Sequence, residues 1–250
     1  MRIAKKAALL FGAAAVLALP LGIAHAQLTP EPAQRASDEV GGLLVAGKGG
    51  GPSATAVLTT IYDSASSAAN FGFSSTDLAS QWGDELFTIG TGLLSTHKFT
   101  LFNAGSSAGN LLTATVSVSF FDAVTSAPLG SYSTNVNFGA GLPPGFFSVV
   151  TVTGLDPLLI VLNTTDIINI QQVTAKTGPA SRLGIASMTP VLVGSSPGTM
   201  YINSSTVGPA GFYTIGNPPL PANPGYFIAV NPPPVSTHSN TWGRLKRLYH

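Results

Sequence analysis

Between positions 111 and 122 the chain reads LLTATVSVSFFD, and Leu112, Ala114, Val116, Val118 and Phe120 alternate with Thr113, Thr115, Ser117 and Ser119. Successive side chains of a strand leave opposite faces, so a period of two with hydroxyls on one side predicts a half-buried strand. Less regular apolar runs recur as TAVLTTIYD, LLSTHKFTLF, GSYSTNVNF, FFSVVTVT, LLIVL, DIINIQQVTA, GIASM, TMYIN, GFYTI and YFIAV. The turn-rich clusters NAGSSAGN, GAGLPPG, TGLDP, VGSSPG and IGNPPLPANPG separate them. No body window of about twelve residues carries the 3.6-residue period of an amphipathic helix. The pattern predicts an all-β fold: an antiparallel two-sheet β-sandwich, jelly-roll-like, rather than a parallel sheet with crossover helices.

The flanks read differently. Arg2, Lys5 and Lys6 precede an apolar run from Ala7 to Leu19, then Pro20 and the small tripeptide Ala24-His25-Ala26. That order predicts a signal peptide over 1–26, cleavage near Ala26 and a secreted or cell-surface destination. The run is too short for the roughly 20 apolar residues of a membrane-spanning helix. Residues 27–52, rich in Pro, Gly and charge, read as a flexible linker. The sandwich is expected over 53–231, followed over 232–250 by a Pro-rich spacer and a basic tail.

Charge narrows the partners. Without the signal, eight basic residues face ten acidic ones, and the body holds Lys98, Lys176 and Arg182 against Asp63, Asp77, Asp84, Glu85, Asp122, Asp156 and Asp166. A mildly acidic body lacks the clustered cations that phosphate backbones require, so no nucleic-acid partner is expected. The chain has no cysteine, which removes disulfides, thiolate metal sites and cysteine nucleophiles together.

Several short stretches occur in a familiar order: Tyr62-Asp63, Asn70-Phe71-Gly72-Phe73, Gln81-Trp82-Gly83-Asp84-Glu85-Leu86, then Val118-Ser119-Phe120-Phe121-Asp122 and a Gly-rich approach to Phe146-Phe147. Over about residues 54–231 this order resembles a family of uncharacterised exported bacterial β-sandwich domains that carry exchangeable C-terminal sorting signals, the PEP-CTERM-type proteins. The resemblance implies an exported sandwich and supplies no catalytic residues. The Pro-Glu-Pro motif and membrane helix of such signals are missing here, and a different tail stands in their place.

The residues give little support to catalysis. Nucleophilic catalysis needs a base set against its nucleophile, yet His97 is the one histidine of the body, at the strand parity of Phe99 and Leu101. It reads as a partly buried histidine satisfied by a backbone group, and no Gly-x-Ser-x-Gly elbow accompanies it. Asp84 and Glu85 are adjacent and point to opposite faces of an extended segment, so they cannot work as a glycosidase pair. The protein is therefore read as a non-enzyme.

Two binding chemistries remain. Asp63, Asp77, Asp84 and Glu85 fall in or beside one connection and could converge on calcium, which takes six to eight oxygen ligands; turn capping is the competing reading. Phe71, Phe73 and Trp82 share that connection and would suit an extracellular glycan if displayed, as would Tyr201 and Tyr213 later on; rings in a sandwich otherwise belong to the core. The sequons Asn163-Thr164-Thr165 and Asn203-Ser204-Ser205 are expected from Ser/Thr richness alone. Beyond calcium, no cofactor is expected.

The tail, TWGRLKRLYH, holds Trp242, Arg244, Leu245, Lys246, Arg247, Leu248 and Tyr249. On a helical wheel Trp242, Leu245, Leu248 and Tyr249 share an arc of about 120°, with the three cations outside it. So short a helix is unstable alone. Three readings stand: a sorting address recognised by secretion machinery, a solvated end, or a weak membrane-surface contact.

Overall fold

The computed structural model describes residues 24–26, 30–36, 39–45, 57–215 and 220–231. The expected signal region before Ala24 and the spacer and tail, 232–250, lie outside the described residues.

The strands follow from the alternation and from the turn clusters that stop it. They are β1 (Ala24–Ala26), β2 (Gln34–Arg35), β3 (Val40–Leu44), β4 (Thr59–Asp63), β5 (Ala68–Ser75), β6 (Gln81–Phe87), β7 (Gly92–Asn103) and β8 (Leu111–Asp122). Then come β9 (Pro128–Leu142), β10 (Phe146–Thr153), β11 (Val161–Leu162), β12 (Asp166–Thr177), β13 (Leu183–Thr189), β14 (Met200–Ser204), β15 (Gly208–Ile215) and β16 (Tyr226–Asn231). One 3-10 turn, Asp156–Leu158, is the sole helical element among the described residues. The chain is all-β.

The strands form one hydrogen-bonded path, β1-β15-β14-β6-β12-β8-β9-β3-β10-β7-β13-β5, which curls back so that its two arms face each other. β16 and β11 also pair with β7, β4 with β16, and β2 with β10. Most pairs are antiparallel, as expected, but β1 with β15, β2 with β10 and β3 with β10 run parallel. The sheet is thus mixed and strongly curled. The core lies between the arms: Phe99, Leu101, Val150, Val152 and Ile228 of one meet Leu86, Val116, Val118, Phe120, Val136 and Ile167 of the other.

β8 shows how closely pattern and register agree. Ala114, Val116, Val118 and Phe120 point inward, whereas Leu112, expected with them, is exposed and Leu111 is buried instead. A register shift against β9 between Leu111 and Thr113 reverses the parity at that end.

The region read as a flexible linker needs a larger correction. Val40 and Gly41 pair with Val150 and Thr151 of β10, while Gly42, Leu43 and Leu44 pair with β9. β3 therefore joins the two arms. Glu31 exchanges backbone hydrogen bonds with Gly72, and its carboxylate accepts from Ser74 Oγ at 3.0 Å and faces Arg182 at 3.5 Å. The glycines that suggested a linker serve close approach: a Cβ on Gly42 would lie 2.6 Å from Thr134 Oγ1 and 2.8 Å from Val152 Cγ2, whereas one on Gly41 meets nothing within 4 Å. Gly42→Val is accordingly expected to cost about 1–3 kcal/mol in urea unfolding, and Gly41→Val less than about 0.5. Equal behaviour of the two variants would show that this segment does not pack between the arms.

Candidate functional site

The inner face carries polar side chains where an alternating apolar pattern would place only hydrocarbons. His97 on β7 is fully buried, at the parity of Phe99 and Leu101. From the opposite arm, Asn169 Nδ2 on β12 donates to His97 Nε2 at 2.8 Å, and His97 Nδ1 lies 2.6 Å from Tyr132 Oη on β9. With Nε2 accepting, the ring proton sits on Nδ1 and is donated to the tyrosine oxygen. The imidazole stacks on Tyr226, with ring centroids 5.8 Å apart, and meets Phe120 edge-on at 5.3 Å. Its partners are side chains rather than the expected backbone group, and its burial is complete rather than partial. Burial pushes its pKa from 6.5 down to about 3, so the ring is neutral at physiological pH.

Asp84 stands beside this group. It is the cross-strand partner of Asn169 between β6 and β12, and like Asn169 it is fully buried. Its Oδ2 accepts from Ser196 Oγ at 2.7 Å, while Oδ1 has no hydrogen-bond partner among the described residues. Burial raises its pKa well above 3.8, because the charged carboxylate is disfavoured away from water. The hydroxyls of Tyr62 and Tyr226 are also buried and without partners among the described residues. Their pKa values rise, first through burial and then through the Asp84 charge.

This is a closed, buried polar cluster spanning both arms. Its geometry suits locking register, because each buried polar group penalises any pairing that strands it. A small cavity farther along, bordered by Trp82, Leu101, Gln171 and Leu183, has room for nothing larger than water.

The acidic residues nominated for calcium do not meet. Asp63 Oδ1 caps the Ser66 amide at 3.0 Å, and Asp77 accepts from the Ala79 amide and from Ser205 N and Oγ, contacts that lower its pKa. Asp84 points into the core, and Glu85, on the other face of β6, lies near Asp166. Among the described residues no three His, Asp or Glu side chains stand together as a metal ion would need. The expected convergence is therefore replaced by turn capping at Asp63 and Asp77.

The nominated rings are core. Phe73 and Trp82 are buried with Ile185, Met200, Ile202 and Tyr213, and Phe71 packs against the same group. Tyr201 is buried on the outer face, while Asn203 donates to Gln81 Oε1 at 2.9 Å. Strand parity explains the outcome: Trp82, Asp84 and Leu86 share one face of β6, so the tryptophan follows the leucine inward. The tail residues Trp242 to Tyr249 lie outside the described residues.

The chain matches no family model, no curated protein and no solved structure.

Two residues of the buried cluster set the pH dependence of stability. His97, with its folded pKa depressed, costs stability as pH falls from 6.5 to about 3, by roughly 1.4 kcal/mol per pH unit. Asp84, with its folded pKa raised, costs stability as pH climbs above 3.8 towards that higher value. Below pH 3.8 the His97 loss stands alone, and above 3.8 the two slopes oppose each other wherever both groups titrate. Urea midpoints taken across pH should show it. Asp84→Asn should remove the loss that accompanies rising pH above 3.8 and His97→Gln the loss that accompanies falling pH below 6.5; profiles unchanged in both variants would assign the pH dependence to other groups.

Proposed function

We propose that the protein is an exported, non-enzymatic β-domain with a structural, matrix or adhesion role at the cell surface, routed by its C-terminal tag after cleavage near Ala26. The finer reading of its architecture is an antiparallel two-sheet sandwich, jelly-roll-like, whose sheets share β3. What supports that reading is that both arms contribute to the largest core cluster. The likeness to PEP-CTERM-type domains belongs to the same proposal.

The observation that carries the functional reading is the character of the outward face. Across β14, β6, β12, β8 and β9 the cross-strand row Asn203, Gln81, Gln172, Ser117 and Ser133 is built of uncharged amides and hydroxyls. Asn203 donates to Gln81 Oε1 at 2.9 Å and Gln81 Nε2 to Gln172 Oε1 at 3.4 Å. Alongside, Thr115 Oγ1 donates to Asn135 Oδ1 at 2.7 Å, and the hydroxyls of Thr113 and Thr177 meet at 2.7 Å. Such a face is solvated without charge and offers many weak donors and acceptors to a neighbouring polymer. No helix among the described residues is long and apolar enough to cross a membrane.

The same face favours a second reading, a glycan-binding module that acts through these amides and hydroxyls rather than through Phe71, Phe73 or Trp82. Retention on an immobilised neutral polysaccharide that is lost in Ser117→Lys/Ser133→Lys would favour it; equal passage of both proteins would remove it. For the principal reading, cells expressing the chain with and without residues 239–250 are fractionated. Loss of the surface-associated fraction on truncation is expected, and an unchanged distribution would count against a routing tag.

A further inference from the structure

The two ends of the sheet path are finished differently. At one end the chain itself closes β5: Glu31 N donates to Gly72 O at 3.0 Å and Gly72 N to Glu31 O at 2.8 Å. The Glu31 carboxylate also faces Arg182 at 3.5 Å, so this edge carries charge as well as a covering segment. At the other end β1 covers the outer side of β15, with Ala24, His25 and Ala26 in parallel register with Tyr213, Thr214 and Ile215.

Those covering residues are the small tripeptide that ends the expected signal region. Cleavage after Ala26 falls at the boundary of β1, so the whole strand is severed from the domain. Once no peptide bond holds it nearby, a strand of 3 residues loses the effective concentration that kept it paired. β15 is then left with main-chain N–H and C=O groups facing outward without partners.

The usual guards of an edge strand are missing from β15. It reads GPAGFYTI, without Lys, Arg, Asp or Glu, and Pro209 lies outside the stretch that β1 covers. Tyr213 and Ile215 are buried with Met200, Ile202 and Trp82, which holds the strand in place, while Phe212 and Thr214 on the alternate face are half-buried.

We propose that β15 is the assembly edge of the mature protein and that its occupant is β15 of a second copy, paired antiparallel over residues 211–215 about a two-fold axis. This rests on the export reading above, since signal cleavage is what opens the edge. Three features select a second copy. An uncharged strand meets its own likeness without like-charge repulsion, and Phe212 of each copy comes opposite Thr214 of the other. A two-fold pair satisfies both open edges in one step. Head-to-tail addition to β5 is blocked by Glu31. Main-chain hydrogen bonds supply the affinity, as in other strand additions. Assembly is thereby tied to export: before cleavage β1 occupies the edge.

Sedimentation equilibrium on two chains, one beginning at Ala24 and one at Gln27, tests this. The Gln27 chain should dimerise with a dissociation constant at least about tenfold lower than the Ala24 chain. In the Gln27 chain, Thr214→Lys and Thr214→Glu should each weaken the dimer at least about tenfold by setting like charges on one face of the paired edge. An equimolar mixture of the two variants should restore it, which also shows that both are folded. A monomeric Gln27 chain, equal association of the two chain lengths, or a dimer indifferent to Thr214→Lys would each overturn the inference. The N-terminal mass of the exported protein reads the cleavage separately: a chain that still carries Ala24 would overturn the export reading and the release step, whatever the Gln27 chain does.

Discussion

The contact of His97 with Tyr132 and Asn169 is the constraint around which the fold is arranged. One arm of the sheet offers an imidazole with two polar nitrogens, and the other arm offers the two side chains that satisfy them. In a space walled by Phe99, Phe120 and Tyr226, an unpaired ring nitrogen would cost roughly 1–3 kcal/mol. A slip of one residue on β7, β9 or β12 would reverse the side chains facing the core and break this match. Apolar packing brings the arms together without specifying their alignment; the polar contacts specify it.

Asp84 extends that logic along β6. Its buried carboxyl, across the strand pair from Asn169, forms with the hydroxyls of Tyr62 and Tyr226 a polar interior closed off from solvent. The polar groups that align the arms thereby sit apart from the outward face. Asp84 and His97 are turned inward, and the outward face carries mainly hydroxyls and amides, with Glu85 and Asp166 at one end.

The fold was legible where a strand has one wet face. β8 shows its period of two, and turn clusters rich in Gly, Pro, Asn and Ser bound most of the other strands. Legibility failed where the rule of one buried face fails. On β12 both faces are covered, so Ile167 to Gln171 read as an apolar run that conceals which members face the core, and Asn169 and Gln171 turn out to be the inward ones. The linker reading failed because a Gly-rich segment looks alike whether it is solvated or pressed between two sheet arms. For the site, parity alone could have placed Trp82 and Asp84 in the core beside Leu86. The partners of His97 lie 35 and 72 residues away, beyond the reach of any local pattern.

The wiring of β16 bears on how the chain comes to fold. This last described strand pairs with β4 and fills one side of β7, so contacts that close the structure join positions near 60 to positions near 230. Folds dominated by such distant pairings have high contact order and form slowly, since loop closure precedes the contacts that reward it. While its C-terminal strand is still being synthesised, the chain cannot complete its sheet. During that interval the side of β7 that β16 fills keeps its backbone groups unpaired, an open edge to which a strand of a second chain can add.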